Sequence, residues 1–253
     1  MTYLLGIDKD IEAFVNGWAK SRCVNHVHLN YQNGFISAEF DKPIGTIQRK
    51  YEFFVWSFSD FNSWDFNELS NNEFHIVSLF NPTEAICKDM EDKGYINIVN
   101  ESFMSLKLKN IFDNFNDSTI ELIQNQEQVN WYNKQRGNDI INWSKINDKS
   151  ILFFCAKIDD KLASWARLII NNNYAVIDDV QTKDIYRRQG LAKKIMNKLI
   201  FYSFNHEVSN MVLSASNEGK YLYESYGFKM IFELKVFAKC NSLMYCKRNN
   251  QTI

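Results

Sequence analysis

The stretch from Tyr174 to Met196, YAVIDDVQTKDIYRRQGLAKKIM, decides the fold. Its first nine residues, Tyr174 to Thr182, are rich in β-branched side chains and predict a strand. Its end predicts an amphipathic helix, because apolar residues recur there at helical spacing, at Ala192, Ile195, Met196 and Leu199. Two arginines and Gly190, one of nine glycines in the chain, lie between the strand and the helix. This order predicts an α/β unit.

The segments on either side extend that unit. In chain order they predict a helix from Asp117 to Gln135, strands at Ile151–Ile158, Leu162–Ile170 and Met211–Ala215, a short helix ended by Gly227, and a strand at Phe228–Phe237. Together with the opening stretch they give three antiparallel strands between helices, followed by further strand and helix pairs. The sequence therefore predicts a mixed α/β domain at residues 116–253.

The first 115 residues predict a separate α+β domain. Helix-like stretches lie at Asp8–Lys20 and Pro82–Lys93, and aromatic stretches between them indicate strands. These residues hold enough apolar side chains for a core of their own. We therefore place one domain at 1–115, with its boundary in the polar stretch 110–118.

Composition and charge disfavour several classes of protein. Hydrophobic residues make up 45% of the chain and only two residues are prolines, which indicates a folded chain without long linkers. A net charge of −1 disfavours a nucleic-acid partner. The charged residues near the start and the lack of an 18-residue apolar run predict no secretory signal and no membrane span. We expect a cytoplasmic protein whose five scattered cysteines are reduced.

The loop before the predicted helix suits a bound anion. The first N–H groups of a helix have no partner within it and carry the positive end of its dipole. The N–H groups of Arg188–Ala192 can therefore surround a diphosphate, with Gly190 allowing a close approach and Arg187 adding charge. An RxxGxA string alone is more often an ordinary turn with solvated arginines, so its neighbours must decide.

The neighbour that decides is the stretch Met211–Phe228, MVLSASNEGKYLYESYGF. A strand, a turn of small residues, a helix with LYE and then YGF form the second half of a pattern whose first half is strand, RxxGxA and helix. With both halves in order, residues 117–240 resemble the GNAT superfamily of acyl-CoA-dependent N-acyltransferases. The resemblance implies a GNAT fold, acetyl-CoA as acyl donor, no metal, and direct transfer to a primary amine of a small-molecule or peptide acceptor.

The resemblance also implies roles for named residues. The diphosphate of coenzyme A would lie on the loop, and the pantetheine arm would follow the preceding strand where it splays from Met211–Ala215. Two further positions, where many members have Asn and Ala, would contact the cofactor. The implied cofactor-binding residues are Val180, Gln181, Thr182, Arg187, Arg188, Gln189, Gly190, Leu191, Ala192, Ser216 and Gly219.

Acyl transfer to an amine also needs an acid and a base. Tyr223, in the LYE position, is the implied acid, since a phenol is protonated at neutral pH; the alternative is a packing tyrosine. Asp178 and Asp179 are candidates for the base. As neighbours on a strand they should point to opposite faces, and an unpaired carboxylate near apolar Val176 would have a raised pKa. Pairing with a nearby Lys or Arg is an equal alternative, and a water chain can replace the base.

Three alternatives stay open. The N-terminal domain has the length of a degenerate acetyltransferase-like domain, although it lacks both motifs. A second interpretation of the whole chain is a catalytically silent acyl-CoA-binding or regulatory protein. A third, an aminoacyl-tRNA-dependent peptidyl transferase built from two similar halves, lacks support, because such enzymes do not need the diphosphate loop. The pair His26 and His28 has no further ligands nearby in sequence, which disfavours a metal site.

Overall fold

The structure, a computed structural model, describes residues 2–22, 26–45, 48–108, 119–137, 140–145 and 148–239. Six α-helices lie in these ranges: α1 (Thr2–Ser21), α2 (Phe66–Leu69), α3 (Glu84–Asp92), α4 (Gln126–Arg136), α5 (Leu191–Asn205) and α6 (Asn217–Glu224). The same ranges hold eleven strands: β1 (Val27–Gln32), β2 (Phe35–Ile44), β3 (Arg49–Val55), β4 (His75–Phe80), β5 (Tyr95–Lys107), β6 (Ile120–Leu122), β7 (Ile151–Ile158), β8 (Lys161–Asn171), β9 (Tyr174–Thr182), β10 (Asn210–Ala215) and β11 (Lys229–Lys239). None of the described helices is long and apolar enough to cross a membrane.

The described residues form two compact units that are discontinuous in sequence. The first unit comprises the described parts of Met1–Val24, Ser105–Leu213 and Glu224–Lys229. The second comprises the described parts of Asn25–Met104, Ser214–Tyr223 and Met230–Ile253. Helix α1 therefore belongs to the unit that contains α4, α5 and β6 to β9. The boundary predicted at 110–118 lies outside the described residues.

The first unit is built on strands in the order β10-β9-β8-β7-β6. Strands β6 to β9 are antiparallel neighbours, and β9 and β10 are parallel. A parallel pair needs a crossover connection, which α5 provides. The prediction of a mixed α/β fold with three antiparallel strands before a helix is confirmed.

Helix α4 begins later than the sequence pattern predicts. Residues 120–122 form strand β6, in which Ile120 pairs with Ala156 of β7. The helix starts at Gln126 because Asn125 and Gln128 form a capping box: Asn125 Oδ1 accepts from the Gln128 N–H at 2.9 Å, and Gln128 Oε1 accepts from the Asn125 N–H at 3.3 Å. The predicted start at Asp117 lies outside the described residues.

The second unit contains strands in the order β1-β2-β3-β4-β11-β5. Its β3–β4 pair is parallel, whereas β1–β2, β2–β3 and β4–β11 are antiparallel. An aromatic core fills this unit, and Phe53, Phe61 and Phe66 are at most 2% exposed. These aromatic side chains therefore act as core.

A close approach of backbones brings α1 onto β9 in the first unit. Gly17 of α1 lies over Val176, and a Cβ atom built on Gly17 would be 2.4 Å from Val176 Cγ2. No side chain fits at that distance without a shift of the helix or the strand. Glycine is otherwise unfavourable inside a helix, so this position is set by packing.

We expect Gly17→Ala to lower the free energy of unfolding. Overpacking costs about 1–3 kcal/mol, and the 2.4 Å contact favours the upper part of that range. Alanine returns about 1 kcal/mol through its helix propensity, which leaves a net loss. Urea unfolding followed by circular dichroism measures it, with the exposed Lys20→Ala in the same helix as control. An unchanged or higher midpoint for Gly17→Ala would contradict the packing.

Candidate active site

The loop between β9 and α5 ends at an uncapped helix start. Gly190 is the N-cap residue of α5, with φ 76° in the left-handed region, and no side chain caps the helix. The Lys194 N–H donates to the Gly190 carbonyl at 3.1 Å and opens the helix. A Cβ atom on Gly190 would meet nothing within 4 Å, so the backbone conformation, not crowding, calls for glycine. The exposed loop therefore presents the positive end of a 15-residue helix to solvent.

The arginines of the loop differ in their partners. Arg187 pairs with Asp184 at 2.9 Å, and its Nε–H points to the Thr182 carbonyl at 3.4 Å. Arg188 is exposed and has φ 63°, also in the left-handed region. Arg187 thus braces the turn that precedes the helix, and Arg188 adds positive charge to the exposed loop. A diphosphate fits the donors and charges of this loop.

Strand β9 contains a β-bulge just before that loop. Arg167 of β8 pairs with Asp178, and Trp165 pairs with Gln181, so Asp179 and Val180 together lie opposite one residue of β8. Asp179 has φ 55°, a conformation that non-glycine residues rarely adopt. A bulge leaves its extra residue out of the hydrogen-bonded ladder. We call residues 179–180 the β9 bulge.

The other side of β9 also leaves regular pairing at this point. The parallel register with β10 runs from the pair Tyr174–Asn210 to the pair Ile177–Leu213. Strand β9 continues to Thr182, beyond the last of these pairs. Strand edges of this kind pair with extended ligands through main-chain hydrogen bonds. The predicted pantetheine residues Val180, Gln181 and Thr182 all lie on this stretch.

A serine of β8 holds the end of β9 in place. The Ser164 hydroxyl is fully buried and lies 2.7 Å from the Gln181 carbonyl and 2.8 Å from the Thr182 hydroxyl. A hydroxyl has one proton, so Ser164 donates to the carbonyl and accepts from Thr182. These bonds fix the last two residues of β9 while Gln181 keeps an exposed side chain.

Both consecutive aspartates contact one guanidinium group. Arg167 Nη2 lies 3.2 Å from Asp178 Oδ2 and 3.3 Å from Asp179 Oδ2. The prediction that the two side chains point to opposite faces of the sheet is therefore wrong, because the β9 bulge interrupts the alternation of a regular strand.

Further groups surround these carboxylates. Asp178 accepts from the Ser21 hydroxyl at 2.8 Å and lies 3.8 Å from Arg22, while Asp179 pairs with Arg136 at 3.0 Å. We refer to these side chains as the ion cluster: Ser21, Arg22, Arg136, Arg167, Asp178 and Asp179. Its members come from α1 and the residue after it, α4, β8 and β9, and in sequence only Ser21 with Arg22 and Asp178 with Asp179 are adjacent.

The charge state of Asp178 follows from these contacts. Burial acts to raise the pKa of Asp178, but Arg167, Arg22 and the Ser21 hydroxyl outweigh it, so its pKa is lower than the ordinary value. The expectation of an unpaired carboxylate with a raised pKa is wrong for this residue. Asp179 is likewise paired, and its side chain is 8% exposed. Both carboxylates are therefore engaged by arginine side chains, and the lowered pKa makes Asp178 a weak proton acceptor.

The ion pairs of Asp178 give a pH dependence of stability. Because its pKa is lower in the folded state than in the unfolded state, the stabilisation is present above about pH 3.9 and is lost as the pH falls toward the folded value. We expect the stability of the wild type to fall more steeply below about pH 4 than that of Asp178→Asn. Urea midpoints between pH 5 and the acid limit of folding measure this. The exposed turn variant Asp160→Asn is the matched control, and equal slopes for wild type and Asp178→Asn would contradict the assignment.

The part of the motif that carries Tyr223, Ser214–Tyr223, lies in the second unit. The Ser216 hydroxyl accepts from the Gly219 N–H at 3.2 Å and so caps the start of α6. A Cβ atom on Gly219 would be 3.3 Å from Tyr223 Cε2, which shows that the tyrosine ring packs against the glycine. Tyr223 is 7% exposed. The three residues thus form one contact group, and their roles toward a cofactor stay predictions.

The end of the motif, YGF, packs in the first unit. The Tyr226 hydroxyl lies 2.6 Å from Asn197 Oδ1 and 2.9 Å from the Lys193 carbonyl, both on α5. Burial raises the pKa of Tyr226 to about 12, so the hydroxyl is a donor at neutral pH. This tyrosine anchors the segment after α6 to the helix that follows the loop.

Metal ligands do not gather in the described part of the chain. No group of three or more His, Cys, Asp or Glu side chains that is arranged to hold a metal ion occurs among those residues.

Comparisons with known proteins point to one family. Residues 121–246 match the model of the acetyltransferase (GNAT) domain. Similar solved structures include a GCN5-related N-acetyltransferase from Kribbella flavida, which is 12% identical, with 91% of this chain and 94% of that chain covered and a TM-score of 0.62. A GCN5-related N-acetyltransferase from Sphaerobacter thermophilus is 12% identical over 81% of this chain and 76% of its own, with a TM-score of 0.56.

A third similar structure is a GCN5-related N-acetyltransferase-like protein from Streptococcus suis. It is 13% identical over 85% of this chain and 88% of its own, with a TM-score of 0.54. No curated protein matches the sequence. At these identities the solved structures show a shared fold.

Proposed function

We propose, because the chain belongs through residues 121–246 to the GNAT acetyltransferase family, that the protein is an acetyl-CoA-dependent N-acetyltransferase. It transfers an acetyl group to a primary amine by direct attack in a ternary complex. The observation that carries the proposal is the uncapped start of α5 at Gly190, directly after a strand that continues past its parallel neighbour. The first feature suits a diphosphate, and the second suits an extended arm attached to it.

The loop residues hold the diphosphate in this proposal. The main-chain N–H groups of Arg188–Ala192 donate to it, Arg187 keeps the turn in shape, and Arg188 supplies charge. Val180, Gln181 and Thr182 border the pantetheine arm. Ser216 and Gly219 remain proposed cofactor contacts, although the Ser216 hydroxyl already accepts a bond from its own helix.

A glutamate at the loop tests the diphosphate site. We expect Gly190→Glu to abolish acetyl-CoA binding measured by calorimetry, because it places a negative charge and bulk where the diphosphate lies. Gly137→Glu is the matched control: Gly137 also has a left-handed φ, 78°, and open space around its Cβ position, but it ends α4. The control reproduces the backbone strain and the added charge. Retained affinity in Gly190→Glu, or equal loss in both variants, would refute the loop assignment.

Acetyl transfer needs an acid that protonates the departing sulfur and a route by which the amine loses its proton. The amine nitrogen forms a bond to the thioester carbonyl carbon, the C–S bond breaks, and the departing sulfur takes a proton from the Tyr223 hydroxyl. The amine proton leaves through water, since the candidates Asp178 and Asp179 are both ion-paired. The main-chain N–H of Val180, in the β9 bulge, is the proposed donor to the developing oxyanion, because the N–H of Asp179 already donates to the Asp178 carboxylate.

Removal of the Tyr223 hydroxyl tests the acid. We expect Tyr223→Phe to lower kcat by roughly 100-fold or more, as typical for loss of a general acid, with little change in the Kd for acetyl-CoA. Thiol release with a reactive amine measures the rate. Tyr221→Phe is the matched control, because Tyr221 is on the same helix and 77% exposed. Unchanged turnover in Tyr223→Phe would remove this residue from the acid role.

Assays with different amine acceptors distinguish acetyl transfer from acyl-CoA binding without turnover. Thiol release is measured with a library of small-molecule and peptide amines, in parallel with calorimetry for acetyl-CoA. Turnover with any amine supports the proposal, whereas tight binding without turnover favours the acyl-CoA-binding alternative. Residues 1–115 are proposed to shape the acceptor site, and a cytoplasmic location stays a prediction.

A further inference from the structure

Helix α1 lies outside the residues that match the family model, yet it is packed on the strand that carries the β9 bulge. We infer that α1 contributes to acetyl transfer, because its last residue, Ser21, holds the β9 bulge in position through Asp178. Ser21 is then a positioning residue for acetyl transfer. The expected effect of Ser21 on kcat rests on the proposed function. Its expected effect on the structure of the β9 bulge rests on the ion cluster alone.

Alternate residues of β9 each meet α1. The Tyr174 hydroxyl donates to Asp10 at 2.7 Å, and Gly17 lies in close contact with Val176. Asp178, two residues further, accepts from the Ser21 hydroxyl at 2.8 Å. Residues two apart on a strand share a face, so α1 covers one face of β9 up to the residue before the bulge.

The last turn of α1 contacts the ion cluster through both the hydroxyl and the carbonyl group of Ser21. Ser21 is 1% exposed, and its hydroxyl lies between the Trp18 carbonyl at 2.7 Å and the carboxylate of Asp178. Arg167 Nη1 donates to the Ser21 carbonyl at 3.0 Å, while its Nη2 contacts both carboxylates. The last carbonyl groups of a helix lack partners within it, and here a guanidinium provides one.

These contacts bear on the bulge because Asp179 is held in an uncommon conformation. A non-glycine residue with a left-handed φ persists where its surroundings hold it in place. Asp179 is held by Arg136 from α4 and by Arg167, and Asp178 by Arg167, Arg22 and Ser21. Loss of the Ser21 hydroxyl removes the donor that α1 itself supplies to this group.

The kinetic test compares two variants, each of which lacks one hydroxyl group at the contact between α1 and β9. Ser21→Ala acts beside the bulge, and Tyr174→Phe acts at the start of β9. A displacement of about 1 Å at a reacting centre can cost on the order of a hundredfold in rate, so we expect Ser21→Ala to lower kcat by roughly ten- to a hundredfold. The Kd for acetyl-CoA should change by a smaller factor than kcat, because the diphosphate loop is unchanged although Val180–Thr182 border the pantetheine arm. Tyr174→Phe should keep the wild-type kcat while its melting temperature falls.

A structural readout keeps the inference testable apart from the proposed function. Hydrogen exchange of the full chain without substrate should be faster at residues 178–182 in Ser21→Ala and unchanged there in Tyr174→Phe. If the wild type transfers acetyl to no amine, the proposed function fails while the exchange result still decides the role of Ser21. Equal kcat and equal exchange at 178–182 in the wild type and Ser21→Ala would overturn the inference.

Discussion

The interaction on which the first unit depends is the contact of Arg167 with two consecutive carboxylates. At Asp178 and Asp179, strand β9 passes from regular pairing to an irregular path, with a bulge toward β8 and no further parallel pair with β10 in the described register. One guanidinium on the adjacent strand contacts both side chains and the last carbonyl of α1. Buried charges cost free energy unless they are paired, and here each carboxylate has more than one positive neighbour.

This arrangement brings together helices that are far apart in sequence. Helices α1 and α4 each supply groups to the ion cluster, from Ser21 in one case and from Arg136 in the other. The residues that match the family model include α4 but not α1. A chain cut at the start of the matched residues would therefore leave Val176 uncovered by Gly17 and Asp178 without its serine donor. The compact unit therefore extends beyond the residues that match the family model.

The sequence predicts those parts of the site whose causes are local. Gly190 can be predicted because the left-handed backbone at the start of α5 favours glycine. The helix after it can be predicted because its apolar residues recur at helical spacing. The capping box formed by Asn125 and Gln128 is also a local signal for a helix start. The sequence offers a second candidate start further upstream, at Asp117. For β6 the deciding factor is pairing with β7, which overrides a helix-like composition.

The bulge and the ion cluster have no such local cause. The β-branched residues of YAVIDDVQT predict a regular strand, and only the register against β8 shows that two residues lie opposite one. The partners of the aspartates are likewise distant, with Arg136 43 residues before Asp179 and Ser21 157 residues before Asp178. A single sequence contains no signal that joins positions so far apart, so the charge state of Asp178 could not be predicted from it.

The distance between α1 and its strand also matters while the chain is being made. Ser21 leaves the ribosome well before Asp178, its partner 157 residues later. At about 5–20 residues per second, that interval is on the order of 8–30 s. During this time α1 lacks the strand that packs against Gly17. The first unit can close only after β9 has been synthesised, so its assembly is a late event in translation.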